Sequence, residues 1–153
     1  MDFQRSRRKD FNLQYIGTMR PVFNLKALFS DTTEHYVTPA EPAGYDLVNI
    51  RFRTARNNVD AVYLVVKGRK NLMTKVDCAD DFDYYAYDYQ LENEKLSYHF
   101  EIRTGTLVAY YDVRGLCHEP NDYYDISIIP GFKTPDWAKG AVMYQIFVDR
   151  FYN

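Results

Sequence analysis

The stretch "LVNIRFRTARNNVDAVYLVV", residues 47–66, decides the fold class. From Leu47 to Thr54 the side chains alternate. Val48, Ile50 and Phe52 fall on one face, and Leu47, Asn49, Arg51 and Arg53 fall on the other. A period of two belongs to a strand with one buried face, because successive side chains of an extended chain point to opposite sides. Asn57 and Asn58 then tolerate the positive φ of a turn. "AVYLVV" (61–66) follows as a strongly apolar strand, rich in residues that suit a pleated surface.

The pattern continues outward from this unit. "KGRKN" reads as a turn, "LMTKVD" as a short strand, and "CADDF" as an acidic loop. "DYYAYDYQL" (83–91) is a strand, "ENEK" a turn, and "LSYHFEIRT" (96–104) an alternating strand that Gly105 folds back into "TLVAYYDV". Upstream, "VFNLKALFS" (22–30) reads as a first strand and "TPAEPAG" (38–44) as a loop. Short strands at this spacing, with turn signals between them and no helical period, predict an antiparallel β-sandwich over 21–130. Pro130, Gly131, Pro135 and Gly140 crowd into "IIPGFKTPDWAKG", which predicts a linker over 131–140. Beyond it, "AVMYQIFVDRFYN" (141–153) is a near-continuous apolar run, as in a strand buried on both faces.

A chain of 153 residues with 46% hydrophobic content supports one domain with flanking sequence. Its net charge of −2 argues against a general nucleic-acid or membrane-surface binder. Arg5, Arg7, Arg8 and Lys9 form a basic cluster within 1–20, which reads as a solvated, mobile extension. No apolar run resembles a signal peptide or reaches the ~18 residues of a membrane span. With Met1 as the native start, that leads to an expected cytoplasmic location. Cys78 and Cys117 are either a pair or two free thiols.

Few residues could do chemistry. His35, His99 and His118 lack metal-ligand spacing, and His99 reads as a solvated residue on a polar strand face. Cys117 and His118 are adjacent, so on an extended segment they point apart and make a poor nucleophile pair. The acidic loop with Asp77, Asp80, Asp81 and Asp83 lacks the Gly and the distal Glu of a helix–loop–helix calcium site. The tyrosines say more: there are 15 of them against one Trp. Tyr85, Tyr87, Tyr89 and Leu91 share a face assigned to the core, which leaves Tyr84 outward with Phe82 near it. Tyr111 is opposite in parity to Val108 and Tyr110 and is assigned outward, while "NDYYD" adds Tyr123 and Tyr124. Outward rings can stack on the C–H faces of sugars while the hydroxyls find polar partners.

"FRTARNNVDAVYLVV", "DFDYYAYDYQL", "LSYHFEI" and "PDWAKGAVMYQIFVDRFYN" together resemble the N-terminal part of neopullulanase, cyclomaltodextrinase and maltogenic-amylase type enzymes. These belong to glycoside hydrolase family thirteen, the α-amylase family. The most specific match is a W-x-K-x-x-x-x-Y-Q-I-F-x-x-R-F run through Trp137, Lys139, Tyr144, Gln145, Ile146, Phe147, Arg150 and Phe151. The resemblance implies an immunoglobulin-like module of carbohydrate-binding module family thirty-four, then the first strand of a truncated (β/α)8 barrel over 141–153. It implies no catalytic residue and no cofactor in these residues. The parent's calcium site would begin at Asn153. Trp137 and Tyr144 would pack the sandwich against the barrel. The implied partners are an α-glucan, the parent's own barrel and a second subunit. Two jobs stay open: glucan binding through Phe82, Tyr84, Tyr111, Tyr123 and Tyr124, or subunit contact alone.

Overall fold

The computed structural model describes residues 23–142. The extension over 1–20, Tyr144, Asn153 and nearly all of the run read as a barrel strand lie outside them. The described residues form strands β1 (Val37–Thr38), β2 (Leu47–Ala55), β3 (Ala61–Val66), β4 (Arg69–Leu72), β5 (Thr74–Ala79) and β6 (Phe82–Gln90). Then come β7 (Leu96–Thr104), β8 (Leu107–Asp112), β9 (Gly115–Cys117) and β10 (Ile126–Ile128). The only helical segments among them are single 3-10 turns, so no helix here is long and apolar enough to cross a membrane. The strands make a four-stranded sheet, β1-β2-β6-β5, and a six-stranded one, β4-β3-β7-β8-β9 with β10 on β7. Every pairing is antiparallel.

β2 follows its sequence pattern. Val48, Ile50, Phe52 and Thr54 are fully buried, and Leu47, Asn49, Arg51 and Arg53 face away. β2 pairs with β6 without a break, from Leu47 opposite Gln90 to Ala55 opposite Phe82. Opposed residues share a face. Tyr85, Tyr87 and Tyr89 stand opposite Phe52, Ile50 and Val48, so they turn inward as the sequence pattern implies. From the other sheet, Leu64, Tyr98, Phe100 and Ile102 fill the space between the layers. The sheets meet ring on ring: Phe52 lies 4.6 Å from Phe100 and 5.3 Å from Tyr111, in tilted and edge-on geometry.

Several local readings change. "VFNLKALFS" is no strand but a 3-10 turn over Leu25–Ala27 followed by a single bridge from Phe29 to Arg53. Ala27 and Leu28 are buried in succession, which a half-buried strand cannot do. The turn in "KGRKN" is only Lys67-Gly68, whose φ values of 48° and 75° make a two-residue hairpin between Val66 and Arg69. "LMTKVD" is split. Its Leu72 ends β4 in one sheet and Thr74 begins β5 in the other, with Met73 buried at the corner and its N–H bonded to the Val62 carbonyl at 2.9 Å. The acidic loop shrinks to Asp80-Asp81, since Asp77 lies in β5 and Asp83 is buried in β6. His99 is not solvated: it is 7% exposed and held by Asp125. Cys78 and Cys117 are both free thiols.

Three strand carboxylates are buried, each beside a cation. Asp83 accepts from Lys75 at 2.7 Å and from the Asn57 N–H at 2.8 Å. Glu101 meets Lys70 at 2.7 Å and Arg103 at 2.6 Å, and Asp112 meets Arg114 at 2.6 Å. Burial pulls all three carboxyls upward, but these hydrogen bonds outweigh it and hold them below the usual carboxylate range. Tyr98 is the opposite case: its hydroxyl is buried with no partner among the described residues.

Phe100→Ala should lower unfolding stability by about 3–5 kcal/mol in urea titration. Tyr98→Phe should leave it unchanged or raise it by about 1–2 kcal/mol, because it removes an unsatisfied hydroxyl. A comparable loss from both variants would mean that the Tyr98 hydroxyl is bonded after all. Carboxyls lowered by folding stabilise above their unfolded range and lose that stabilisation as pH falls through their folded values. Stability should therefore be flat near neutrality and drop below about pH 4, and Glu101→Gln should flatten the drop.

Candidate carbohydrate-contact face

β2 and β6 place their outward residues in rows. Arg53 stands opposite Tyr84, Arg51 opposite Ala86, Asn49 opposite Asp88 and Ala55 opposite Phe82. Asn49 donates to Asp88 at 2.6 Å and accepts from Arg51 Nε at 3.1 Å, which aims the Arg51 fork along the sheet. The Arg53 guanidinium lies 4.4 Å from the Phe82 ring centre and 5.1 Å from that of Phe29. A cation over a π-face is attracted to it, so Arg53 holds the two rings on either side of itself. Phe29 in turn meets Tyr36 edge-on at 5.2 Å.

Beside this ledge lies a cleft lined by His35, Tyr36, Arg51, Asp77, Ala79 and Tyr84. Burial pushes the Tyr36 phenol up, so it stays a neutral hydroxyl. Its walls thus combine two phenol rings, a guanidinium that only donates and a carboxylate that only accepts. That set matches a ligand with an apolar face and hydroxyls at its edge.

The sequence-predicted residues divide between places. Phe82 and Tyr84 lie together on this face, both half-buried. Tyr111 does not belong with them. It stands opposite Phe100 in the β7–β8 pairing, so its ring enters the core and is 9% exposed. In β8 both parities carry apolar residues, and only the partner strand decides which faces in. Tyr123 and Tyr124 sit on a 3-10 turn against the other sheet, with rings 5.0 Å apart. Tyr124 lies under the Arg114 guanidinium at 4.1 Å, and Tyr123 is 85% exposed. Trp137 is exposed as well.

Phe29, Tyr36, Arg53, Arg51 and Asp77 were not among the sequence candidates. The two arginines had a readable signal, since they alternate with the core residues of β2; Phe29 and Tyr36 lie in irregular backbone that shows no period. Burial and Asp112 push the Cys117 thiol up to about 11, so it stays protonated and is no nucleophile.

The alpha-amylase N-terminal Ig-like domain model matches residues 24–129. An amylopullulanase of Thermoanaerobacterium thermosulfurigenes is 36% identical over 93 residues, 53% of this chain and 5% of that protein. A cyclomaltodextrinase of Geobacillus thermopakistaniensis is 30% identical over 127 residues, 71% of this chain and 22% of that protein. The chain thus spans less than a quarter of the length of either relative. Among solved structures, a cyclomaltodextrinase superposes with a TM-score of 0.60 at 21% identity, covering 78% of this chain and 23% of that one. A maltogenic amylase from S. marinus superposes with a TM-score of 0.57 at 19% identity, covering 88% and 19%. These two likenesses speak for the fold. With the family match spanning well over half of its residues, the chain belongs to the alpha-amylase N-terminal Ig-like domain family.

Proposed function

We propose that these residues form the non-catalytic N-terminal domain of an α-glucan-degrading glycoside hydrolase, and that the outer face of the four-stranded sheet contacts glucan. The observation that carries this reading is the braced ledge of Phe29, Arg53 and Phe82 beside the cleft of Tyr36, Tyr84, Arg51 and Asp77. A pyranose offers C–H groups on one face and hydroxyls at its rim. The rings suit the first, and Arg51 and Asp77, one a donor and the other an acceptor, suit the second. In the parent, hydrolysis with retention would fall to two closely placed carboxylates on the catalytic barrel, outside this sandwich.

A second contact is supported by a different set of residues. Ile129, Phe132, Trp137 and Val142 are 56–80% exposed and lie close together in sequence. Large apolar side chains gathered at the surface mark a region that meets another surface. We assign this region to the parent's own barrel. Subunit pairing through the ledge is the competing job for the four-stranded sheet.

Electrophoresis of the chain in native gels containing soluble starch tests the reading. The starch should retard it, and Tyr84→Ala should relieve most of the retardation, while Trp137→Ala leaves it unchanged. Sedimentation velocity on the same proteins decides the rival. Mobility indifferent to starch, together with a dimer that Tyr84→Ala dissociates, would make the ledge a subunit contact.

A further inference from the structure

The six-stranded sheet has a recess of about 630 Å³ on its own outer face, away from the ledge. Its floor comes from β7 and β8, where His99, Glu101 and Tyr110 point outward beside Val65 of β3. Its walls are the Lys67-Gly68 turn and the segment carrying Pro120, Asp122 and Asp125. His99 and Glu101 are 7% and 1% exposed, which is unusual for charged or polar side chains on the outside of a sandwich.

Both groups are oriented by their partners. His99 Nδ1 is 2.9 Å from Asp125 Oδ1. A carboxylate only accepts, so Nδ1 donates to Asp125, and Nε2 has no protein partner among the described residues. Glu101 binds Lys70 through one oxygen and Arg103 through the other, leaving both cations about half-exposed with donors to spare. Tyr110 sets its ring edge-on to His99 at 6.3 Å. Tyr123, next in the chain to the lining residue Asp122, is 85% exposed. Its ring is braced by Tyr124, which lies under Arg114, whose Nε and Nη2 both donate to the Asp112 carboxylate.

The formal charges of the lining nearly cancel, with Lys67 and Lys70 set against Glu101, Asp122 and Asp125. That disfavours a phosphorylated ligand and a free cation alike, and no group of three metal-binding side chains occurs among the described residues. Oriented polar groups, aromatic surface and little net charge describe a site for a neutral polyhydroxylated chain.

We propose that this recess is a second saccharide site, which takes a segment of neutral α-glucan against Tyr110 and Tyr123 with His99, Lys70 and Asp122 meeting its hydroxyls. The choice of sugar rests on the function proposed above; the site does not share residues with the ledge. The domain would then hold glucan on both outer faces and could bridge two segments.

Titration of the ¹⁵N-labelled 153-residue chain with maltoheptaose, followed by amide shifts, tests this. Two sets of amides should move, one around Asp77 and Tyr84, the other around Gly68, Ser97 and Asp122. Tyr123→Ala and Asp122→Asn alter exposed side chains, and each should weaken the second isotherm about three- to tenfold with the first unchanged. Tyr84→Ala should do the reverse. Movement of the first set alone would overturn the recess and keep the ledge. Movement of the second set alone would keep the recess and overturn the ledge. Stillness in both would end both readings. Shifts at the recess with inorganic phosphate but not with maltoheptaose would make it an anion site.

Discussion

The unbroken pairing of β2 with β6 is the constraint on which the other features depend. Side chains on a strand alternate with a period of two, so a slip of one residue would send Val48, Ile50 and Phe52 to water and drive Arg51 and Arg53 into the core. Nothing in the strand edges forbids that slip. What forbids it is the second sheet, where Phe100 and Tyr111 wait for the Phe52 ring. The same pairing fixes the outside. Tyr84 and Arg53 are neighbours because Phe52 and Tyr85 are.

Arginine recurs in one role on both sheets. Arg53 lies against Phe29 and Phe82, Arg103 over Tyr63, and Arg114 over Tyr124. Two of these guanidinium groups are themselves gripped by buried carboxylates, Glu101 and Asp112. Each chain of contacts runs from a fixed anion inside the fold to a ring at its surface. A ring held this way has less rotamer freedom to lose when something stacks on it, which is how a modest surface gains affinity without gaining area.

Much of this was legible in the residues. The alternation of "LVNIRFRT" gives the strand, its buried face and its arginine face at once, and the inward tyrosines of β6 follow from the same period. The all-β class follows from the turn signals between such runs. What escaped is what one strand cannot say about itself. β8 carries apolar residues on both parities, so Tyr111 was decided by Phe100 across the pairing. His99 looked solvated because its cover, Asp125 and the segment around it, comes from 26 residues away. Met73 sits in the middle of what reads as one strand, and only the competing pull of Val62 and β6 turns it into a corner.

That corner has a mechanical consequence. β4 and β5 belong to different layers, yet a single residue joins them, buried and tethered to β3 by its own N–H. A strap with no slack resists shear, so the two layers cannot slide past one another along that side. Whatever rests on one outer face therefore keeps a fixed distance and heading relative to whatever rests on the other. The sandwich acts as a rigid spacer rather than a compliant pad.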